Sequence, residues 1–322
     1  MGSLAIKIDV DTERGTRDGV LRLAKVCQKH RVPAVFLFSL GPDNMGRSIR
    51  RIFQPGFFRK VTRTGVIANY GVRTLLNGLL WPAPHLGKRY GYIMRRVRDL
   101  GFETGIHCYD HYLWQNFVCS MTLGETRAQL TKAYAEFRRI FGENPRIAGA
   151  AGWQCTAHSL TVYDEMGFEW GSDTRGTHPF RPSIGGSIFN TPQVPTTLPT
   201  LDEVLGSPGF YKENLADFYL RLIQKAGKHV LTAHAELEGL RFLGFFDDLL
   251  CRAKATGIEL CSFPTILGQA FSGPESELQV CSIDMNTLAG RSGKLAVQGA
   301  RLSHARNAQE VRRTTQWTGT QK

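Results

Sequence analysis

The sequence predicts an α/β protein in which strands alternate with helices around a parallel sheet or a barrel. Two observations lead there. Apolar runs of strand length recur along the chain, and helical apolar spacing fills the intervals between them, which argues against a β-sandwich. A length of 322 residues fits two domains or one α/β barrel, and 42% hydrophobic with 21% charged residues excludes disorder of the whole chain.

The first strand is expected over 4–10 (LAIKIDV), where apolar residues alternate before a polar stretch. Helical spacing follows through Val20, Leu23, Ala24 and Cys27. Residues 33–40 (PAVFLFSL) read as a buried strand and 102–107 as a shorter one. A helix is expected over 123–141, with Thr122 as N-cap and Glu125 three residues on. Further strands are expected at 146–150, 168–172, 229–233 and 258–263, with helices at 158–166, 214–226 and 240–255. Two stretches break the rhythm. Residues 44–98 form an insertion too long for an ordinary loop, and from 272 to 322 the chain turns rich in Gly, Ser, Gln and Arg, so a poorly ordered basic tail is expected behind a domain of 1–271.

Forty Lys and Arg against 28 Asp and Glu give a net charge of +12. Twelve of those cations, and no acid, lie between Asp43 and Asp99, so this one segment carries the whole excess. Its partner should be anionic: a lipid surface, a phosphate-bearing substrate or nucleic acid. Seven scattered cysteines without a CxxC pair argue for reduced thiols. With no apolar run of membrane-spanning length and no signal-like start, a cytosolic chain is expected.

Three places carry groups capable of chemistry. Asp9 and Asp11 share one face at the C-terminal end of the first strand, where parallel barrels place their sites. Neighbouring carboxylates repel unless a cation lies between them or one holds a proton, so a metal, a general base or a merely solvated strand end all fit. His107 and His111, spaced i and i+4 after another strand, suit two imidazole ligands on one metal, or are two unrelated histidines. His234 ends a late strand, where it can protonate a leaving group or be structural. Asp173 and Arg175 are candidates for orienting such groups, or an ordinary ion pair, and Trp153 for a substrate wall, or a core residue.

Taken in order, IDVDT, HxxxH, AAGW, SDTRG and LTAH resemble the NodB-type polysaccharide deacetylases, carbohydrate esterase family 4, over residues 4–265. That resemblance implies a distorted (β/α) barrel with one divalent metal: zinc by the ligand set, with manganese or cobalt as alternatives. It implies Asp9 as catalytic base, Asp11, His107 and His111 as metal ligands, and His234 as catalytic acid. The wording of GIHCYDHYLWQN and WGSDTRG is similar to the members that remove a formyl group from a formamido sugar on undecaprenyl phosphate. The family carries an Arg in its third motif that steadies the base. AAGW contains none, so Arg175 or Arg146 is expected to substitute.

A lipid-linked substrate would explain the insertion. It mixes cations with apolar residues, among them Arg50, Arg51, Phe57, Phe58, Arg59, Lys60, Leu79, Leu80 and Trp81, as membrane-interface segments do. A peripheral protein on the cytoplasmic face of the inner membrane is therefore expected, meeting an anionic membrane surface and no nucleic acid. Its rivals are a deacetylase acting on another N-acyl sugar and a non-enzymatic binder of anionic surfaces or nucleic acid. The oligomeric state is not legible.

Overall fold

The computed structural model describes residues 2–47, 77–79, 81–205, 207–271, 278–291 and 293–302. The chain runs β1 (Ser3–Val10), α1 (Val20–His30), β2 (Val35–Ser39), α2 (Leu86–Asp99), β3 (Glu103–Cys108), α3 (His111–Phe117), α4 (Leu123–Phe141), β4 (Ile147–Ala148), α5 (Ala157–Met166) and β5 (Trp170–Gly171). It continues through β6 (Arg181–Ile184), β7 (Ser187–Ile188), α6 (Leu201–Val204), α7 (Leu215–Ile223), β8 (Lys228–His234), α8 (Leu243–Ala255), β9 (Glu259–Leu260), α9 (Phe263–Phe271), β10 (Val280–Asn286) and β11 (Leu295–Arg301).

Strand β1 is buried along its whole length, and the central sheet grows from both of its edges. Strand β8 pairs along one edge, from Ser3 opposite Lys228 to Asp9 opposite His234. On the other edge β2 takes Lys7 to Val10 and short β9 takes Ser3 and Leu4. The order β5-β4-β3-β2-β1-β8, all parallel, is the expected α/β architecture in the form of a half-barrel. Helix α4 begins where its capping box requires: Oγ1 of Thr122 accepts the Glu125 N–H, and the Glu125 carboxylate accepts the Thr122 N–H at 2.8 Å.

Three expectations change. The last strand shrinks to Glu259–Leu260, because Phe263 opens α9, with Pro264 in its first turn and Ser262 Oγ accepting the Thr265 N–H at 3.2 Å. Within the insertion, α2 is a helix of the barrel whose apolar face belongs to the core: Tyr90, Ile93, Met94 and Val97 are buried. Two of its cations serve the scaffold, as Arg95 and Arg98 donate to the Ile140 and Phe141 carbonyls at the end of α4. Arg50, Arg51, Phe57, Phe58, Arg59, Lys60 and Leu80 lie outside the described residues. Leu79 is half-buried and Trp81 is exposed.

The stretch expected as an irregular tail contains an antiparallel pair, β10 with β11, which joins β6 and β7 in a second sheet. Cys281, Leu295 and Ala296 are buried there. The pair also docks on the third and fourth motifs: Arg175 donates its N–H to Ala296 and accepts from Gln298, while Gln154 donates to the Lys294 carbonyl at 2.6 Å. Residues 303–322 lie outside the described residues.

Candidate active site

Residues two apart on a strand share a face, and on β1 this places Lys7 beside Asp9. Lys7 Nζ lies 3.3 Å from Asp9 Oδ2 and donates to the Ser172 carbonyl at 3.2 Å, with both side chains buried. Asp11 follows just past the strand end. Its position is fixed from β8: Glu236 Oε1 accepts the Asp11 N–H at 3.0 Å, the Thr12 N–H at 2.7 Å and the Thr12 hydroxyl at 2.8 Å. Gly15 is required beneath this clamp, because a Cβ there would stand 2.0 Å from Glu236 Oε1.

The histidines come from the next strand but one. His107 lies near the end of β3, and Asp110 caps α3 by accepting the Leu113 N–H at 3.0 Å, so that His111 is the first residue of that helix. His107 Nδ1 is 2.7 Å from the Gly149 carbonyl, which can only accept, so Nδ1 carries the proton. Nε2 then turns a lone pair toward Asp11 Oδ1 at 3.2 Å, while His111 Nε2 lies 3.4 Å from Asp11 Oδ2.

A lone pair facing a carboxylate oxygen is repulsive unless a cation sits between them. Asp9 Oδ1, Asp11 Oδ1 and His111 Nδ1 are buried with no hydrogen-bond partner. Burial works against a charged Asp11, yet His111 and His107 outweigh it and hold its carboxyl well below the usual range. Burial likewise opposes a charged His107, and Asp9 and Asp11 outweigh it and raise that imidazole. The pocket thus favours positive charge at its centre. The ligand atoms of Asp11, His107 and His111 all lie within 4.8 Å of one another, and one oxygen with two nitrogens suits a divalent transition metal. The residues present fit the ion.

His234 stands opposite Asp9 in the strand register, with its ring edge-on to Trp153 at 6.3 Å and its Nδ1 buried without a partner. Trp153 holds a left-handed φ of 52° after Gly152 at 66°, a strained backbone for a bulky residue. Three contacts secure it. Its indole N–H donates to Thr196 Oγ1 at 3.2 Å, and the guanidinium groups of Arg291 and Arg175 lie 4.3 and 5.2 Å from the ring centroid. Glu203 Oε1 bridges both guanidinium groups.

Asp173 is fully buried and accepts from the Ala150 N–H, the Tyr163 hydroxyl and the Gln193 amide, so it braces the third-motif loop. Neither Arg expected beside Asp9 is found there. Arg175 is committed to Glu203 and the Thr196 and Leu198 carbonyls, and Arg146 pairs on the surface with Glu169. The cation at Asp9 is Lys7, whose signal was a lone Lys two residues before the aspartate in a buried strand. Glu236, also unforeseen, was marked only by its place two residues after His234.

No family model matches the chain. It is 35% identical over 95% of its length, and 97% of the relative's, to a Shewanella sediminis protein named "Probable 4-deoxy-4-formamido-L-arabinose-phosphoundecaprenol deformylase ArnD". This chain belongs to the ArnD deformylase family. A Wigglesworthia glossinidia brevipalpis protein of the same name is 29% identical over 88% of this chain and 98% of its own. In fold, the chain matches a crystal structure from Mycobacterium smegmatis assigned to the polysaccharide deacetylases, with TM-score 0.61 and 16% identity over 89% of this chain and 94% of that one. Membership in the family makes the protein a hydrolase acting on an amide bond.

Proposed function

We propose that the protein hydrolyses the N-formyl group of 4-deoxy-4-formamido-L-arabinose carried on undecaprenyl phosphate, releasing formate and the free amino-sugar lipid. The observation that carries this reading is the Asp11–His107–His111 cluster beside a Lys7-paired Asp9, in a chain that aligns with an ArnD protein over nearly all its length. The product's place would be the aminoarabinose modification of lipid A that confers polymyxin resistance.

Asp11 and the Nε2 atoms of His107 and His111 would hold the metal, zinc by the donor set or else manganese or cobalt, which when bound acidifies a water and polarises the formyl oxygen. Asp9 accepts the proton of the attacking water. Lys7, 3.3 Å from Oδ2, fixes the direction of the Asp9 carboxylate. The formyl carbon becomes tetrahedral as the water oxygen bonds to it. His234, neighbouring Asp9 in register, delivers a proton to the sugar nitrogen as the C–N bond breaks. Trp153 walls the site on the His234 side. The amine released is cationic at neutral pH, which opposes the reverse reaction.

A lipid-linked substrate requires work at a bilayer. Among the described residues no helix is long and apolar enough to cross a membrane. The acid-free basic insertion supports a peripheral protein on the cytoplasmic face of the inner membrane. At one stated salt concentration, anionic vesicles should retain the protein and duplex DNA should not; clear preference for DNA overturns the membrane reading.

The deciding assay is formate release from undecaprenyl-phosphate-linked formamido-arabinose, with metal-replete and chelated protein. Metal-dependent formate supports the proposal. Acetate from an N-acetyl sugar, without formate, discards the substrate and retains the site. Neither product, with metal bound, removes the hydrolytic reading of this site.

A further inference from the structure

Just past His111 in the chain, the flank of α3 borders a cavity of about 350 Å³ lined by Arg47, Gly78, Leu79, Tyr112, Leu113 and Phe117. Nothing in the mechanism above uses it. Its contents are those of an amphiphile's site: a guanidinium at one place, and a leucine pair and two aromatic rings around the rest. The Tyr112 and Phe117 rings meet edge to face at 5.9 Å. Phe117 remains 43% exposed, and Trp81, whose carbonyl accepts the Gly78 N–H, is 50% exposed. Large apolar side chains left in water beside one cavity mark a surface that another apolar group covers.

Arg47 supplies the polar end. Its Nε donates to the Gly78 carbonyl at 3.1 Å, which orients the guanidinium plane, and among the described residues no carboxylate pairs with it. The neighbouring acids are already engaged. Asp43 accepts from Glu13 and Asn77, and Asp110 accepts from Asn44 and Leu113. Asn44 thereby ties the start of the insertion to Asp110, the cap of the helix that His111 opens, and Asn77 ties residues 77–79 to Asp43.

We infer that this cavity is the subsite for the prenyl phosphate of the substrate: Arg47 takes the phosphate, and Leu79, Leu113 and Phe117 take the first isoprene units. The inference rests on the deformylase reading and deepens it. Tyr112 and Leu113, which line the cavity, follow His111 directly in α3, so one helix carries both a metal-ligand candidate and the cavity wall. Guanidinium and phosphate match in charge and in fork geometry.

The test uses metal-loaded full-length protein and direct binding of farnesyl phosphate, with farnesol and inorganic phosphate as separate arms. Wild type should bind farnesyl phosphate more tightly than either fragment. Arg47→Gln and Phe117→Asp should each weaken it by about tenfold or more, with bound metal and circular dichroism unchanged. Arg127→Gln, a surface substitution in the Glu165 pair, should bind as wild type does. Equal affinity in wild type and both cavity variants overturns the subsite, as does inorganic phosphate binding as tightly as farnesyl phosphate. Because binding is read without turnover, the two readings separate. Farnesyl phosphate bound here with no formate released from any formamido sugar removes the deformylase reading alone, and formate with unaltered binding in the variants removes the subsite alone.

Discussion

Lys7 and Asp9, two residues apart on one strand, form a 3.3 Å ion pair sealed from solvent. A buried carboxylate is costly without a partner, and removing one member of such a pair typically costs about 3–5 kcal/mol. The pair therefore links the strand's stability to the direction in which Asp9 presents its other oxygen.

Lys7→Met should lower kcat about 100-fold or more while KM and metal content hold, with some loss of thermal stability. Lys7→Arg should recover part of kcat, since it restores the charge. Steady-state kinetics with metal analysis checks this; an unchanged kcat in Lys7→Met would remove Lys7 from the site.

Asp11→Ala, His107→Ala and His111→Ala should each lose bound metal on dialysis and lose activity, and a chelator should do the same to wild type. Asp9→Asn and His234→Ala should retain the metal and lose most turnover. Metal loss in His234→Ala would reassign that residue as a ligand, and full activity in Asp9→Asn would exclude it as the base.

Glu236 holds Asp11 through its backbone, so Glu236→Ala should weaken metal affinity about 10–100-fold without touching a ligand. A metal titration followed by calorimetry measures it. Wild-type affinity would show that the clamp is dispensable.

Burial pushes the Glu238 carboxyl from its ordinary 4.5 up to about 8. The folded state therefore binds a proton that the unfolded state releases, and this contribution to stability is full below about pH 4.5 and is lost as pH rises through about 8. Glu238→Gln removes it. The melting temperature of the variant relative to wild type should rise by on the order of 5 °C from pH ~5 to pH ~8. Parallel melting curves across that range would contradict the assignment.

Arg291→Ala removes a stacked guanidinium from Trp153 and one of the two cations on Glu203, and should destabilise the fold by about 1–2 kcal/mol. Urea unfolding measures the loss. No change would mean that Arg175 alone secures the indole.

What the sequence determined by itself is local. Alternation marked β1, helical spacing marked α1 and α4, and the Thr122–Glu125 box set the start of α4 to the residue. Asp9, Asp11, His107 and His111 were legible as candidates from residue type and close spacing after strand-like runs. The helical-face reason for the histidines does not hold: His107 lies on β3 and His111 opens α3, and only the strand-to-helix turn brings both to Asp11. Tertiary structure decided the partners. Whether Arg175, Arg146 or Lys7 meets Asp9 depends on Glu203 and Glu169, which claim the two arginines from elsewhere in the chain. The β10–β11 pair was hidden because little of it is buried: Cys281, Leu295 and Ala296 are covered, in strands that join β6 and the Arg175 loop, while Asp284, Asn286 and Arg301 stay exposed. Glu236 reaches Asp11 across 225 residues. Periodicity reports how a side chain lies relative to its own backbone, whereas such a contact exists only once the sheet has closed β8 onto β1.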